Sequence, residues 1–331
     1  VKVTRAMLDE AASLVHAVVP PTPQRRWPVL EQRAGCELWV KHENHAPTGA
    51  FKVRGGLTYL ASLRARDPGA AGVLAATRGN HGQSVAFAAA RQGLPAVIVV
   101  PHGNSPEKNT AMRALGAELI EHGNDFQEAF EFAGRLAGER RLHFVGAYDD
   151  ALILGVATYA LELLTAVPDL DLVFVPIGMG SGISGVIRVR DALGLRTRVV
   201  GVVSEALPSY RLSFEQRTPV STPPATTIAD GLACRVPSPD AVATILAGAE
   251  RVVSVSEAAI RAAMRHYFTD THNVVEGAGA APLAAVLAER ATLRGRKVAV
   301  IASGGNVDAD VFADVLRRDA SPDAAASAPA R

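Results

Sequence analysis

Between residues 71 and 145, short apolar runs alternate with segments of helical pattern, and this alternation limits the fold more than any other feature of the chain. Gly72-Val-Leu-Ala-Ala, Ala96-Val-Ile-Val-Val, Ala117-Glu-Leu-Ile and Leu142-His-Phe-Val read as strands, and residues 80–92, 108–115 and 125–137 as the helices joining them. Strands apolar on both faces and linked through helices form a parallel sheet covered on two sides. The alternation resumes with a helix over 151–165, the strand Leu172-Val-Phe-Val, a helix from 182 and the strand Arg198-Val-Val-Gly-Val-Val, which predicts a second sheet. A chain of 331 residues has room for two such units. A helix over 4–16 and a strand around Trp39 and Val40 come first; helices near 239–246, 256–267 and 276–290, a strand from Lys297 and a helix after Asp308 come last. Residues 218–224 read as a long loop, and the Ala-, Ser- and Pro-rich end of the chain as disorder.

One lysine stands out against this frame. In Pro47-Thr48-Gly49-Ala50-Phe51-Lys52-Val53-Arg54-Gly55-Gly56 it follows a strand-like run and sits among glycines. Thr48 reads as an N-cap, so Lys52 is expected in the first turn of a helix running to about Leu63. The partial positive charge of a helix start disfavours an ammonium there and favours the nucleophilic amine. Lys52 is therefore a candidate Schiff-base lysine. Gly49, Gly55 and Gly56 are expected to let the chain pass close to a ligand and to hinge one unit against the other.

Three further strand-end loops carry small and polar residues. Gly178-Met179-Gly180-Ser181-Gly182, between a strand and a helix, brings backbone N–H groups up to an anion such as phosphate. Gly180, Gly182 and Gly185 also match a dinucleotide fingerprint, with Glu205 placed as a ribose-binding acid, and spacing alone does not separate the two. Thr77-Arg78-Gly79-Asn80-His81 opens a second helix, and Ser303-Gly304-Gly305-Asn306 follows the last strand. An amine, amide and hydroxyl side chains and a phosphate cradle gathered at strand ends suit a phosphorylated aldehyde cofactor; a nicotinamide site has no need of the lysine.

The balance of charge excludes other classes. With 34 basic and 33 acidic residues there is no footprint for nucleic acid or an anionic membrane. No apolar run approaches the ~20 residues of a membrane span. Two cysteines, Cys36 and Cys234, form neither a disulfide framework nor a metal spacing, as in a reducing compartment. A cytoplasmic protein is expected.

In order and spacing, PTGAFKVRGG, TRGNHGQ, GMGSG and SGGN resemble the fold-type II pyridoxal-phosphate enzymes, tryptophan synthase beta-like in fold, and within them the serine/threonine dehydratase group that includes serine racemase. The resemblance covers residues 4 to 318. It implies two parallel-sheet α/β domains, residues 49–146 forming the small one and 1–48 with 147–318 the large one, the cofactor between them and 319–331 a disordered tail. It implies pyridoxal 5'-phosphate bound to Lys52, with Phe51 against the ring, Asn80 on the ring hydroxyl, and Gly178, Met179, Gly180, Ser181 and Gly182 around the phosphate. Ser303 would face the pyridine nitrogen, Gly231 would lie near the ring, and Glu276 would lie on the opposite side of the pocket. Thr77, Arg78, Gly79, Asn80 and His81 would bind the substrate, and the protein would be a homodimer. The reaction implied is α,β-elimination from a β-hydroxy amino acid (threonine or serine, or phenylserine or 3-hydroxyaspartate) to a 2-oxo acid and ammonia, with Lys52 as base. A hydroxyl at the ring nitrogen, unlike a carboxylate, makes the ring a weaker electron sink and favours prompt loss of the β-substituent. Amino-acid racemisation and a non-catalytic or dinucleotide binder are the alternatives.

Two positions depart from the family pattern. Serine racemase carries a serine as second base where this chain has Arg78, and a guanidinium is always protonated. Arg78 is expected either to bind a carboxylate bidentately, the second one of 3-hydroxyaspartate included, or to face solvent. Some relatives bind a divalent cation beyond the strand ending here at Glu205, but Arg211 stands where a second acid belongs, so no metal is expected.

Overall fold

The computed structural model describes residues 3–317. Its strands are β1 (Gln24–Arg26), β2 (Glu37–His42), β3 (Val73–Ala76), β4 (Ala96–Val100), β5 (Glu118–Glu121), β6 (His143–Phe144), β7 (Leu172–Pro176), β8 (Arg198–Ser204), β9 (Arg251–Val255) and β10 (Lys297–Ala302). The helices of the first half are α1 (Arg5–His16), α2 (Pro28–Ala34), α3 (Lys52–Arg66), α4 (Asn80–Arg91), α5 (Pro106–Ala114), α6 (Phe126–Arg140) and α7 (Asp150–Ala166). Those of the second are α8 (Ser181–Ala192), α9 (Ser209–Gln216), α10 (Pro239–Gly248), α11 (Glu257–Thr271), α12 (Gly277–Ala288) and α13 (Ala309–Arg317).

Two sheets result. Four parallel strands in the order β5-β4-β3-β6 lie within residues 73–144, and six in the order β1-β2-β10-β7-β8-β9 take in the rest. The six-stranded sheet is parallel except at its edge, where β1 runs antiparallel to β2. That edge, with α2, α9 and β9, is missing from the sequence reading, since a three-residue polar strand and one- to two-turn helices carry too little periodicity. The reading that the end of the chain is disordered, including the tail from 319, falls outside the described residues.

Helix α7 is the spine between the sheets. Eleven of its residues, between Leu152 and Leu164, are buried, and it packs on α3 and on α8. Glycine makes those approaches close: a Cβ on Gly155 would overlap the Arg54 carbonyl of α3, one on Gly55 would come 2.8 Å from the Leu152 carbonyl, and one on Gly56 would overlap the Ser84 hydroxyl of α4. Gly55 and Gly56 thus serve close helix–helix contact. Gly49 is different, with φ +68° and its α-carbon against Asn306.

Beneath α3 lies a dry ionic cluster. The Arg54 side chain has no exposure and donates to Glu43 at 2.8 and 3.0 Å and to Glu162 at 2.6 and 3.1 Å. Lys41, also fully buried, donates to Glu162, to the Thr22 carbonyl at 2.7 Å and to Gln24 at 3.0 Å. Thr22 and Thr158 supply further hydrogen bonds, and His16 of α1 meets Glu162 at 2.7 Å. The cluster ties β2 and α7 to α3 two residues beyond Lys52.

Candidate active site

Lys52 is the first residue of α3. The expected cap is not used: Phe51, in helical conformation, precedes the helix without a side-chain cap, and the Thr48 hydroxyl is buried without a partner. The chain is held here by the far end of the protein instead. Phe51 N–H donates to the Ser303 carbonyl at 3.0 Å, Ala50 bridges to Gly304, Gly305 N–H donates to the Gly49 carbonyl at 2.9 Å, and Asn306 Nδ2 donates to the Thr48 carbonyl at 2.8 Å. The loop after β10 thereby fixes the start of α3, while the Lys52 carbonyl accepts from Ser84 at 2.6 Å.

The Lys52 side chain enters a cavity open at its mouth, and its Nζ donates to Ser181 Oγ at 3.0 Å. Burial lowers its pKa to about 8. The direction matches the sequence expectation, but the cause is loss of solvent rather than the helix start.

Facing it is the glycine loop between β7 and α8. Gly178, Met179, Gly180, Ser181 and Gly182 all line the cavity. Gly180, at φ +95°, is the N-cap of α8 and offers no side chain to its first-turn N–H groups. A Cβ on Gly178 would overlap the Gly231 carbonyl, and one on Gly231 would come 2.9 Å from Ala278 Cβ, so both positions must be small. Two tyrosines hold the loop from behind: Tyr210 donates to the Met179 carbonyl at 3.0 Å and Tyr159 to the Gly182 carbonyl at 3.1 Å.

The other predicted residues gather at the same cavity. Phe51, Thr77, Arg78, Gly79, Asn80, His81, Gly231, Glu276 and Ser303 line it with Lys52. Thr77 Oγ1 accepts from Gly79 N–H at 2.9 Å and Gly82 N–H at 3.2 Å, folding the loop onto the start of α4. Asn80 Nδ2 donates to Glu276 at 2.7 Å and its Oδ1 accepts from Asn306 at 2.8 Å. Glu276 is pushed above the usual carboxylate range, by burial first and by Asp230 as well, against the pull of Lys108 and Asn80. His81 is driven down to about 4 by burial and by Lys52, with its ring 3.3 Å from the Val145 carbonyl.

Two residues of the wall escaped sequence reading. Lys108 of α5 pairs with Asp230 at 3.2 Å, and Arg78 Nε lies 3.9 Å from the same carboxylate. Polar side chains on a short helix and in a loop read as solvated surface; the only signal was Asp230 beside the singled-out Gly231. Cys234 also lines the cavity, but burial pushes its thiol up to about 12, and Cys36 likewise to about 11, so neither is a nucleophile. Glu205, just past β8, is exposed, and Arg211 pairs with Glu215. Among the described residues no three His, Cys, Asp or Glu side chains group to hold a metal, and no helix is long and apolar enough to cross a membrane.

Comparison with known proteins decides among cofactors. Residues 15–304 match the family described as pyridoxal-phosphate dependent enzyme. The chain belongs to that family. An L-threonine ammonia-lyase of Geobacter sulfurreducens is 37% identical over 290 residues, covering 87% of this chain and 72% of that protein. Another L-threonine ammonia-lyase, from Thermotoga maritima, is 35% identical over 317 residues, covering 96% and 79%. Among solved structures, a pyridoxal 5'-phosphate-dependent aspartate racemase superposes with a TM-score of 0.88 at 31% identity, covering 94% of this chain and 98% of that one. The fold is that of the fold-type II pyridoxal-phosphate enzymes, α/β with two sheets, and the cofactor is pyridoxal 5'-phosphate.

The cavity suits that cofactor on its own terms. A phosphate needs a concave, cationic or N–H-lined seat, and the glycine loop at an uncapped helix start supplies one. The aldehyde needs an amine whose pKa is brought down from that of a free lysine, and Lys52, at about 8, lies beside that seat. The dinucleotide alternative loses its acid, since Glu205 lies outside the cavity wall.

Proposed function

We propose that this protein is an ammonia-lyase that converts a β-hydroxy amino acid, threonine or serine first among them, to a 2-oxo acid and ammonia by α,β-elimination. The observation that carries this reading is the Lys52 amine, lowered to about 8, donating to the first residue of the glycine-loop helix inside one cavity. When bound, the cofactor supplies a sink for the electrons of the bond broken at Cα.

The chain's own residues do the rest. The glycine loop 178–182 seats the phosphate through backbone N–H groups. Phe51, Gly231, Asn80, Glu276 and Ser303, which line the cavity beside Lys52, would hold the ring, with Phe51 as its apolar neighbour and Asn80, Glu276 and Ser303 as its polar ones. The loop from Thr77 to His81, folded onto the α4 start, takes the substrate α-carboxylate on N–H groups that the helix itself leaves free. Lys52 Nζ, once released, takes the Cα proton as its neutral amine. Residues 49–146 act as a small domain closing on the large one, which excludes water from the cavity.

Racemisation is the second reading. It needs a proton carrier on the face opposite Lys52, and the guanidinium of Arg78 is no base; the aspartate racemase among the structural neighbours keeps the reading in view. Formation of D-serine from L-serine faster than pyruvate would favour it. A homodimer is included in the proposal and is read by sedimentation. Two free cysteines accord with a reducing, cytoplasmic setting.

The decisive experiment is spectroscopic. Purified protein should absorb in the visible through lysine-bound cofactor, and Lys52→Ala should lose both that band and 2-oxo acid formation from L-threonine and L-serine. A variant that keeps full turnover overturns the role of Lys52. Pyridoxal phosphate, and not NAD, should raise the Tm of cofactor-free protein.

A further inference from the structure

The glycine loop facing Lys52 is braced from behind by residues 230–238, a stretch outside the α-helices and strands. The Gly231 carbonyl lies so close to Gly178 that no Cβ fits there. Cys234 Sγ is 3.4 Å from Met179 Sδ. Ser238 N–H donates to the Tyr210 hydroxyl at 3.1 Å, and that hydroxyl donates in turn to the Met179 carbonyl at 3.0 Å. Ser209 of α9 fixes the middle of the stretch, donating to the Cys234 carbonyl at 2.7 Å. The contacts converge on Gly178 and Met179, where the loop begins.

The helices of the four-stranded sheet grip the same stretch at two points. Lys108 of α5 donates to Asp230 at 3.2 Å; burial opposes its charge, but Glu276, Asp230 and Asp308 together outweigh that and hold it cationic. Farther along, Arg235 pairs with Asp125, the N-cap of α6. Asp125 divides its oxygens: Oδ1 accepts from Glu128 N–H at 2.9 Å and caps the helix, while Oδ2 accepts from Arg235. Arg235 is steadied on its own side by Thr222, whose carbonyl accepts from Arg235 Nε at 3.5 Å and whose N–H donates to the Arg235 carbonyl at 3.0 Å. The pair spans a cavity whose walls include Phe126 and Phe130 of α6 and Val236 and Pro237 of the stretch. At this point charge joins two surfaces that packing leaves apart.

We propose that Asp125 and Arg235 are positioning residues for the cofactor phosphate: their pairing holds residues 230–238 against the glycine loop, so the seat is tight while the four-stranded sheet is docked. This rests on the phosphate seat at residues 178–182 and not on which amino acid reacts. Neither residue lines the Lys52 cavity, so their influence passes through Cys234, Ser238 and Tyr210. Such coupling is reciprocal: docking of the sheet favours the phosphate, and a bound phosphate favours docking. The two side chains are 32% and 28% exposed, so the effect is a few-fold change and not a loss of function.

The test removes the covalent bond so that the seat is read alone. Hydroxylamine converts the lysine-bound aldehyde of the holoenzyme to its oxime, which then stays on the protein through phosphate and ring contacts only. Its Kd, from ultrafiltration, should rise about threefold in Asp125→Asn and in Arg235→Gln, and no further in the double variant, since one interaction is lost once. Asn caps a helix as well as Asp does, so α6 survives the first change. Amide exchange supplies the readout that local damage would not move. Peptides covering residues 178–186 should exchange faster in Asp125→Asn holoenzyme than in wild type, while those of α6 stay unchanged. Kd values equal to wild type, losses that add in the double variant, or faster exchange confined to α6 overturn the proposal. Cofactor loading that leaves 178–186 unprotected in wild type refutes the seat itself, a failure distinct from that of the pair.

Discussion

Two ionic clusters lie on either side of Lys52, and they are built to opposite ends. Under α3, Lys41, Glu43, Arg54 and Glu162 pair two cations with two carboxylates, and Thr22, Thr158 and Gln24 bond to their remaining polar atoms. In the cavity, Arg78, Lys108, Asp230 and Glu276 leave a guanidinium nitrogen unbonded and one acid pushed toward neutrality. A closed, buried cluster can only position; an open one beside a cavity has polar atoms left over for a ligand. The carboxylates bear the difference in their titration. Glu162 stays below the ordinary range: burial opposes its ionisation, but Arg54 and Lys41 outweigh it. Glu276 is raised, with burial in command.

The sharpest way to break the comparison is to unbalance the closed cluster. Arg54→Ala removes the cation bonded to both buried carboxylates and should cost about 3–5 kcal/mol in chemical denaturation. Arg54→Met combined with Glu43→Gln leaves Lys41 facing Glu162, one charge against one, and should be less destabilised than Arg54→Met by itself. If the double variant is the weaker protein, the cluster is not held by charge balance.

Lys52 is tuned by neither cluster, since burial is the cause of its shift. Uptake of pyridoxal phosphate by cofactor-free protein, followed by visible absorbance, should therefore rise as pH passes through about 8 and then level off, as the neutral amine becomes dominant. The midpoint should be nearly unmoved by added salt, which screens neighbouring charges but not lost solvation.

The smallest effect expected is at Glu276. A carboxyl raised in the fold binds its proton more tightly there than in the unfolded chain, so stability falls as pH rises through the folded value and the penalty persists at neutral pH. Glu276→Gln keeps an acceptor for Asn80 and should raise the Tm of cofactor-free protein at pH 7, with the gain vanishing below the ordinary carboxylate pKa. Glu162 obeys the reverse sign: its contribution is present above its unfolded value and disappears as pH falls through the lowered one, so Glu162→Gln should destabilise at pH 7.

What could be read from sequence alone follows the same division. Gly178, Gly180, Asn80, Ser303 and Lys52 announce themselves because glycine loops after apolar strands have few uses, and all of them reach the cavity. The closed cluster was invisible. Glu162 lies 108 residues from Arg54 and 121 from Lys41, and each of the four charges alone reads as solvated. Thr48 was misread for a local reason: its spacing suits a cap, but it sits in a turn closed by Gly49 N–H on the Ala46 carbonyl, and pairing of Ala50 with Gly304 puts the helix start at Lys52. Lys108 failed for want of its partner, since only the folded chain brings Asp230 to it.

The stitch between residues 48–51 and 303–306 has a bearing on how the protein is made. The segment bearing the reactive lysine meets its anchors only after about 250 further residues have been synthesised, and β2 likewise waits for β10 as its parallel neighbour. At ordinary rates of translation this is a delay on the order of 10–50 s. The four-stranded sheet, whose residues 73–144 are contiguous, can form at the ribosome meanwhile. Competence to capture the cofactor is thus deferred to the completed polypeptide, and a nascent chain that stalls before β10 exposes its lysine on an unanchored helix.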